Sequence, residues 1–316
     1  MKLAFFDDYR LGVLTDDGIV DVSAVVKDVP AAHPQDVMNA VIEHWSTYRG
    51  SIAEAASAGS AVPVDSVRLR APLPRPTNID CMAVNYIEEF LPEKAPADGF
   101  LKSSSTVIGP GDSFVMQDLP GTVWEAEAEL AVVIGKHGQN IPAAEAMDYV
   151  FGYTNLIDGS VRGLPGTRGV FYLMKAQATS CPIGPTITTA DEIDDPQNLA
   201  IRLWNSGELM QDFNTSTMAH SIAECIEFVS SLHPIGPGDI IATGTNHDGL
   251  HPLNGGDELT LEVEGLGPLT IRVEDPLGRT WVRQTHGERR RAGLDGMSSQ
   301  ATGKYADAPA HAVPSS

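Results

Sequence analysis

The stretch Trp124-Glu125-Ala126-Glu127-Ala128-Glu129-Leu130-Ala131-Val132-Val133-Ile134-Gly135 decides how the rest of the chain is read. Successive strand side chains point to opposite faces, so residues two apart share one. Glu125, Glu127 and Glu129 then fall on one face, and Ala126, Ala128 and Leu130 on the other. The purely apolar run from Ala131 to Ile134 belongs in a core. A row of carboxylates leading into a buried strand is costly unless something neutralises it. Two readings follow: a solvated acidic strand face, or oxygen ligands for a hard divalent cation. The apolar continuation favours the second.

The totals narrow the classes of function. A chain of 316 residues is long enough for two domains, or for one large domain with an appendage. Its 21 Lys and Arg against 42 Asp and Glu give a net charge of −21, which argues against a nucleic-acid partner. The acidity alone reads as solubility. Cys81, Cys181 and Cys225 are odd in number and lack metal-type spacing, so a disulfide framework is not expected and a reducing compartment fits. The first residues contain no long apolar run, Asp7 and Asp8 interrupt them, and no segment is long enough to span a bilayer. A cytoplasmic protein with no membrane association is expected.

Residues 1–70 read as a small N-terminal α+β domain. A meander of short strands surrounds the turns at Asp7-Asp8 and Asp16-Asp17, and one or two helices lie between Pro34 and Ala58. The alternating prolines of residues 71–77 predict a stiff linker and a domain boundary. Residues 78–283 are strand-rich, with strands near 78–86, 150–157, 199–204, 240–243, 258–264 and 269–273, a helix from Pro142 to Tyr149 and, among the later segments, a good helix only from Ser221 to Leu232. Residues 87–99 and Leu164 to Gly169 read as loops. Many strands and few helices give a mixed β (α+β) fold with long functional loops. The segment 284–316, rich in Gly, Ser, Ala and Pro, is expected to be a disordered tail.

Five ordered blocks between about residues 78 and 275 resemble the fumarylacetoacetate hydrolase superfamily. They are Glu127-Ala128-Glu129-Leu130 leading to Val133-Ile134-Gly135-Lys136; Gly152-Tyr153-Thr154 with Asp158-Gly159-Ser160-Val161-Arg162; Lys175 before Pro182-Ile183-Gly184-Pro185; Ser206-Gly207-Glu208-Leu209-Met210-Gln211; and Pro237-Gly238-Asp239 leading to Thr243-Gly244-Thr245. The resemblance implies a β-rich catalytic domain, usually homodimeric, that binds Mg²⁺ or Mn²⁺ through Glu127, Glu129 and Asp158. Oxygen donors with open coordination positions suit such ions. It also implies a small-molecule 2-oxo acid or 1,3-dicarbonyl substrate, reacting through a metal-stabilised enolate. Lys175 matches the active-site lysine, while Tyr86, Lys102, Gln211 and Thr245 occupy positions that line the family's cleft.

The chain also departs from the pattern. Family hydrolases commonly carry a lid His, with a Glu three residues later, to activate water. Here Glu89 and Pro92 stand at those positions. Pro165 replaces a usual Gln, and the turn Thr245-Asn246-His247-Asp248-Gly249 is longer by one residue and lacks its Pro. Glu89 is the expected substitute base. His247 is a second source of a proton acceptor. C–C bond hydrolysis is the family default. Decarboxylation, tautomerisation or isomerisation, and hydration or dehydration become alternatives once the dyad is missing. A metal-binding pseudoenzyme scaffold is the reading from another class.

Overall fold

The computed structural model describes residues 1–165 and 171–306. The expected loop at Leu164 to Gly169 therefore lies outside the described residues beyond Pro165, as does the end of the expected tail from residue 307. The architecture is mixed β with few helices. Among the described residues an eleven-stranded sheet and a five-stranded sheet carry most of the structure.

The large sheet is built around the strand Val123–Ile134, every residue of which is buried. Val150–Arg162 pairs with it antiparallel, and Ile240–Ala242 flanks its other edge. The five-stranded sheet contains Ala200–Asn205, Glu258–Val263 and Leu269–Glu274. Trp124, Ala126, Ala128 and Leu130 point into a core shared with Ile201, Leu203, Leu261 and Ile271 of that second sheet.

The opposite face of Val123–Ile134 is divided. Ala131 and Val133 pack into a second core with Leu3, Met38, Val41 and Ile52 from the N-terminal region, whereas Glu125, Glu127 and Glu129 lie further toward the strand's start. The acidic alternation is thus not a solvated face. It marks where the apolar cover ends and a cluster of buried polar side chains begins.

The expected boundary at 71–77 does not break the sheet. Lys2–Phe6 pairs antiparallel with Cys181–Thr189, so the N-terminal meander extends the same eleven-stranded sheet. Two helices, Pro34–Glu43 and Trp45–Ala58, cover it, with Trp45 edge-on to Phe151 at 5.2 Å. Ala71, Leu73 and Pro76 are buried, so the proline-rich segment is packed chain rather than an exposed spacer.

The expected tail also differs from the structure. Trp281 is buried in the main core and donates from Nε1 to the Thr122 carbonyl at 2.8 Å. Thr280–Trp281 pairs with Gln300–Thr302. Between them runs a short helix, His286–Arg291, whose N-terminus is closed by a reciprocal Thr285–Glu288 capping box. Composition without apolar periodicity pointed to disorder. The order comes from one anchored tryptophan and from polar contacts to distant residues, neither of which has a local sequence signal.

Candidate active site

The register of the two central strands assembles the site. Glu127 lies opposite Asp158, Glu125 opposite Ser160, and Glu129 opposite Leu156. With a side-chain period of two, Asp158, Ser160 and Arg162 share a face and meet the three glutamates. One carboxylate oxygen from each of Glu127, Glu129 and Asp158 can be chosen so that all lie within 4.8 Å of one another, and all three residues are buried.

The cations around them are unequally shared. Lys175, at the end of the helix Phe171–Lys175, donates from Nζ to Glu127 Oε1 at 2.8 Å and to Asp158 Oδ2 at 2.6 Å. Arg162 bridges Glu125 and Glu127, at 2.5 Å to each, and Ser160 Oγ donates to Glu127 at 3.2 Å. Burial pushes the Glu127 carboxyl up, but Lys175 and Arg162 outweigh it and hold it below the usual range. Burial likewise opposes the charge on Lys175, yet Asp158 and Glu127 keep its pKa raised.

Glu129 is the exception. It accepts from the Gly244 N–H at 2.8 Å but has no ion pair among the described residues. Burial, then repulsion from Asp158 and Glu127, pushes its carboxyl well above the usual range. A buried carboxylate with two like-charged neighbours and no cation of its own fits a site completed by a hard divalent ion, and the three donors are of the oxygen type such ions take.

Several expected residues have other positions. Lys102 is fully buried. Its ammonium serves Asp158 Oδ1 and the Lys175 carbonyl, both at 2.6 Å, Ser180 Oγ at 3.1 Å and the Gly159 carbonyl at 3.3 Å. Three donors are consumed by at least three acceptors, so the substrate-anchoring role expected of Lys102 is corrected to that of a counter-ion for Asp158. Gln211 is a clamp: its Oε1 accepts from the Ala128 N–H at 3.1 Å, and its Nε2 donates to Thr245 Oγ1 at 2.9 Å and the Asn246 carbonyl at 2.7 Å. Thr245 is brought beside the triad strand by that clamp. Tyr86 is buried, edge-on to Phe213 at 4.9 Å.

Glu89 is the clearest correction. It is 54% exposed and paired with Arg291 at 3.0 Å. Its neighbour Glu88 is the buried one, and accepts from both the backbone N–H and the ring of His247, at 2.7 and 2.6 Å. The strand period would have placed adjacent glutamates on opposite sides, but on a segment read as a loop that period had no claim.

Three further contributors escaped the sequence reading. Asn85 ties the 79–83 strand's exit to two distant segments: Nδ2 donates to the Thr243 carbonyl at 2.8 Å, and Oδ1 accepts from the His220 N–H at 2.8 Å. Val84 before it has φ +52°, a strained value for a β-branched residue, and this turns Asn85 inward. Arg162 had a signal, its period-two spacing from Asp158. His286 had none: it reaches Glu125 Oε1 at 2.5 Å from 161 residues away. Burial raises the Glu125 carboxyl, but His286 and Arg162 hold it down at about 2. We expect His286→Ala to cost about 1–3 kcal/mol, because Glu125 loses one of two partners while buried. Through Arg162 it should also weaken metal binding to Glu127 by about tenfold. Melting curves and a Mn²⁺ titration check both; values equal to wild type would mean that Glu125 is satisfied without His286.

Comparison with known proteins agrees with this geometry. Residues 79–274 match the fumarylacetoacetate (FAA) hydrolase C-terminal family. A maleylpyruvate hydrolase of Aquipseudomonas alcaligenes is 32% identical over 292 residues, covering 86% of this chain and 99% of that protein. The oxaloacetate tautomerase YisK of Bacillus subtilis is 35% identical over 223 residues, covering 66% of this chain and 74% of that one. The crystal structure of maleylpyruvate hydrolase from Sphingobium sp. SYK-6, in complex with manganese(II) and pyruvate, matches with a TM-score of 0.79 at 36% identity, over 87% of this chain and 99% of that one. No described helix is long and apolar enough to cross a membrane. With the family match spanning most of the chain and both signature strands forming one buried acidic site, this protein is an enzyme of the fumarylacetoacetate hydrolase family.

Proposed function

We propose that the chain hydrolyses a C–C bond in an acylpyruvate-type 2-oxo acid, with Mg²⁺ or Mn²⁺ at Glu127, Glu129 and Asp158. The observation that carries the reading is the buried carboxylate triad faced by Lys175. The similarity to maleylpyruvate hydrolases over nearly the whole of their length supports the reaction class. A divalent ion held by the triad would supply Lewis-acid polarisation of the substrate's oxo and carboxylate oxygens. The chain's own groups do the rest. Lys175 places a fixed positive charge beside the position where enolate charge develops. Thr245, used as an acceptor by Gln211, keeps its O–H free to donate toward a substrate oxygen. Tyr86 and Phe213 pack edge to face at 4.9 Å. Lys102 and Gln211 act on the framework rather than on the substrate. A homodimer in the cytoplasm belongs to the same reading, and light scattering of the purified protein tests the assembly.

The second reading is tautomerisation of oxaloacetate, favoured by the similarity to an oxaloacetate tautomerase over two thirds of this chain. It needs the same electron sink but no attacking water. Time-resolved NMR with Mg²⁺ or Mn²⁺ separates them, offering an acylpyruvate and oxaloacetate side by side, with Glu127→Ala as the control. Release of pyruvate and a carboxylic acid supports hydrolysis. Enol–keto exchange of oxaloacetate with the acylpyruvate intact transfers the assignment to tautomerisation. Inertness toward both, with the metal still bound, removes both.

A further inference from the structure

We propose that His247 is the proton acceptor for the attacking water, held in its working tautomer by Glu88. The inference rests on the acylpyruvate reading above and supplies the step for which the lid pair is missing. Glu88 Oε1 accepts two hydrogen bonds from His247, from the backbone N–H and from ring Nδ1. With Nδ1 carrying the proton, Nε2 is left as the basic nitrogen. The Glu88 side chain has no solvent exposure, while that of His247 is 19% exposed, so the glutamate end of the pair is dry and the imidazole end is partly open. Glu88 Oε2 is buried with no hydrogen-bond partner among the described residues, so the side-chain hydrogen bonds seen for Glu88 both come from His247.

The turn that carries His247 is fastened to the metal-site strand at neighbouring points. Gly244 N–H donates to Glu129, its φ of +85° turning that N–H inward. Gln211 links Ala128 to Thr245 and Asn246. From behind, Gly287 and His286 donate backbone N–H groups to the carbonyls of Asp248 and Leu250, at 2.9 and 2.8 Å. The imidazole is also near enough to Glu127 that its charged form favours that carboxylate. The glutamate comes from the segment after the 79–83 strand and the histidine from the turn after Thr245. The two partners therefore come from different segments, 159 residues apart in sequence.

The step balances without any further reagent. Water gives one proton to Nε2 as its oxygen bonds to the distal acyl carbon. The bond from that carbon to the methylene then breaks, leaving its electron pair on pyruvate enolate. The proton on Nε2 passes to the methylene carbon, making the pyruvate methyl group. The products are a carboxylic acid, ionised by solvent, and pyruvate. Net, one water is added across one C–C bond.

The test uses full-length enzyme with Mn²⁺ and an acylpyruvate. His247→Ala should lower kcat by about 10²–10⁴-fold with KM changed by less than about threefold, as for loss of a general base. Added imidazole should restore turnover of His247→Ala by about tenfold, since free base fills the vacated space. His247→Gln, which keeps the volume, should lose as much and gain nothing from imidazole. Glu88→Gln, which keeps an acceptor but not the charge, should cost about tenfold. Turnover of His247→Ala near wild type overturns the proposal. So does lost turnover that imidazole does not restore while Mn²⁺ binds normally, and so does an equal loss in Glu89→Gln. Wild-type enzyme that binds Mn²⁺ but leaves acylpyruvates intact removes the hydrolase reading itself, and this proposal with it. Cleavage by wild type and His247→Ala alike removes only the His247 assignment.

Discussion

Lys102→Met is expected to lower the free energy of unfolding by about 3–5 kcal/mol, the cost of removing one partner from a buried ion pair. The methionine matches the lysine stem in volume, so packing is kept and the charge alone is lost. Both Lys102 and Asp158 side chains are wholly buried. Without the ammonium, Asp158 Oδ1 loses a 2.6 Å partner, and so does the Lys175 carbonyl that anchors the end of the short helix Phe171–Lys175. Lys175 still neutralises Oδ2, which is why the cost is bounded rather than larger. Loss of the Lys175 anchor should carry turnover down with stability. Urea unfolding at fixed Mn²⁺, run beside kinetics, checks this. A variant as stable as wild type but with a raised KM would mean that Lys102 holds the substrate after all.

Glu129→Gln should separate stability from activity. The amide keeps an oxygen for the Gly244 N–H but removes the one carboxylate of the triad without an ion pair among the described residues. Relieved of burial cost and of repulsion from Asp158 and Glu127, the metal-free variant should be at least as stable as metal-free wild type. Wild type should gain about 2.7 kcal/mol from metal at 100 times its Kd, and the variant should lose that gain. Turnover should fall by about 10²–10³-fold, since the Lewis-acid contribution amounts to several kcal/mol. Thermal melts with and without Mn²⁺ decide the matter. A full Mn²⁺-induced shift in the variant would remove Glu129 from the ligand set.

Much of the centre was legible in the chain because strand geometry is periodic and local. Glu127 and Glu129 follow from alternation on one segment and Asp158 from the family resemblance, whereas Arg162 was missed although its spacing from Asp158 was a signal; all four meet once the two segments pair. Lys175 and Thr245 were found by motif, and the structure places Lys175 on two triad carboxylates and fastens Thr245, through Gln211, to the triad strand. What was not legible depends on segments with no period. Glu88 and Glu89 are adjacent, and nothing local says that one is buried against His247 while the other faces Arg291 in solvent. Nor does a glycine- and serine-rich tail announce that His286 will neutralise Glu125.

The sequence by itself therefore determined the fold class, the family and the acidic strand pair. Side-chain alternation and apolar runs are properties of neighbouring residues, and they survive without knowledge of distant partners. Only the tertiary structure decided what each charge is for. Lys102 became a buried counter-ion, the N-terminal meander became an extension of the central sheet, and Glu88 rather than Glu89 turned inward. Those outcomes depend on which oppositely charged or apolar group arrives from far along the chain. Burying a charge costs several kcal/mol unless that partner is present, so its role is settled by the partner and not by its neighbours in sequence.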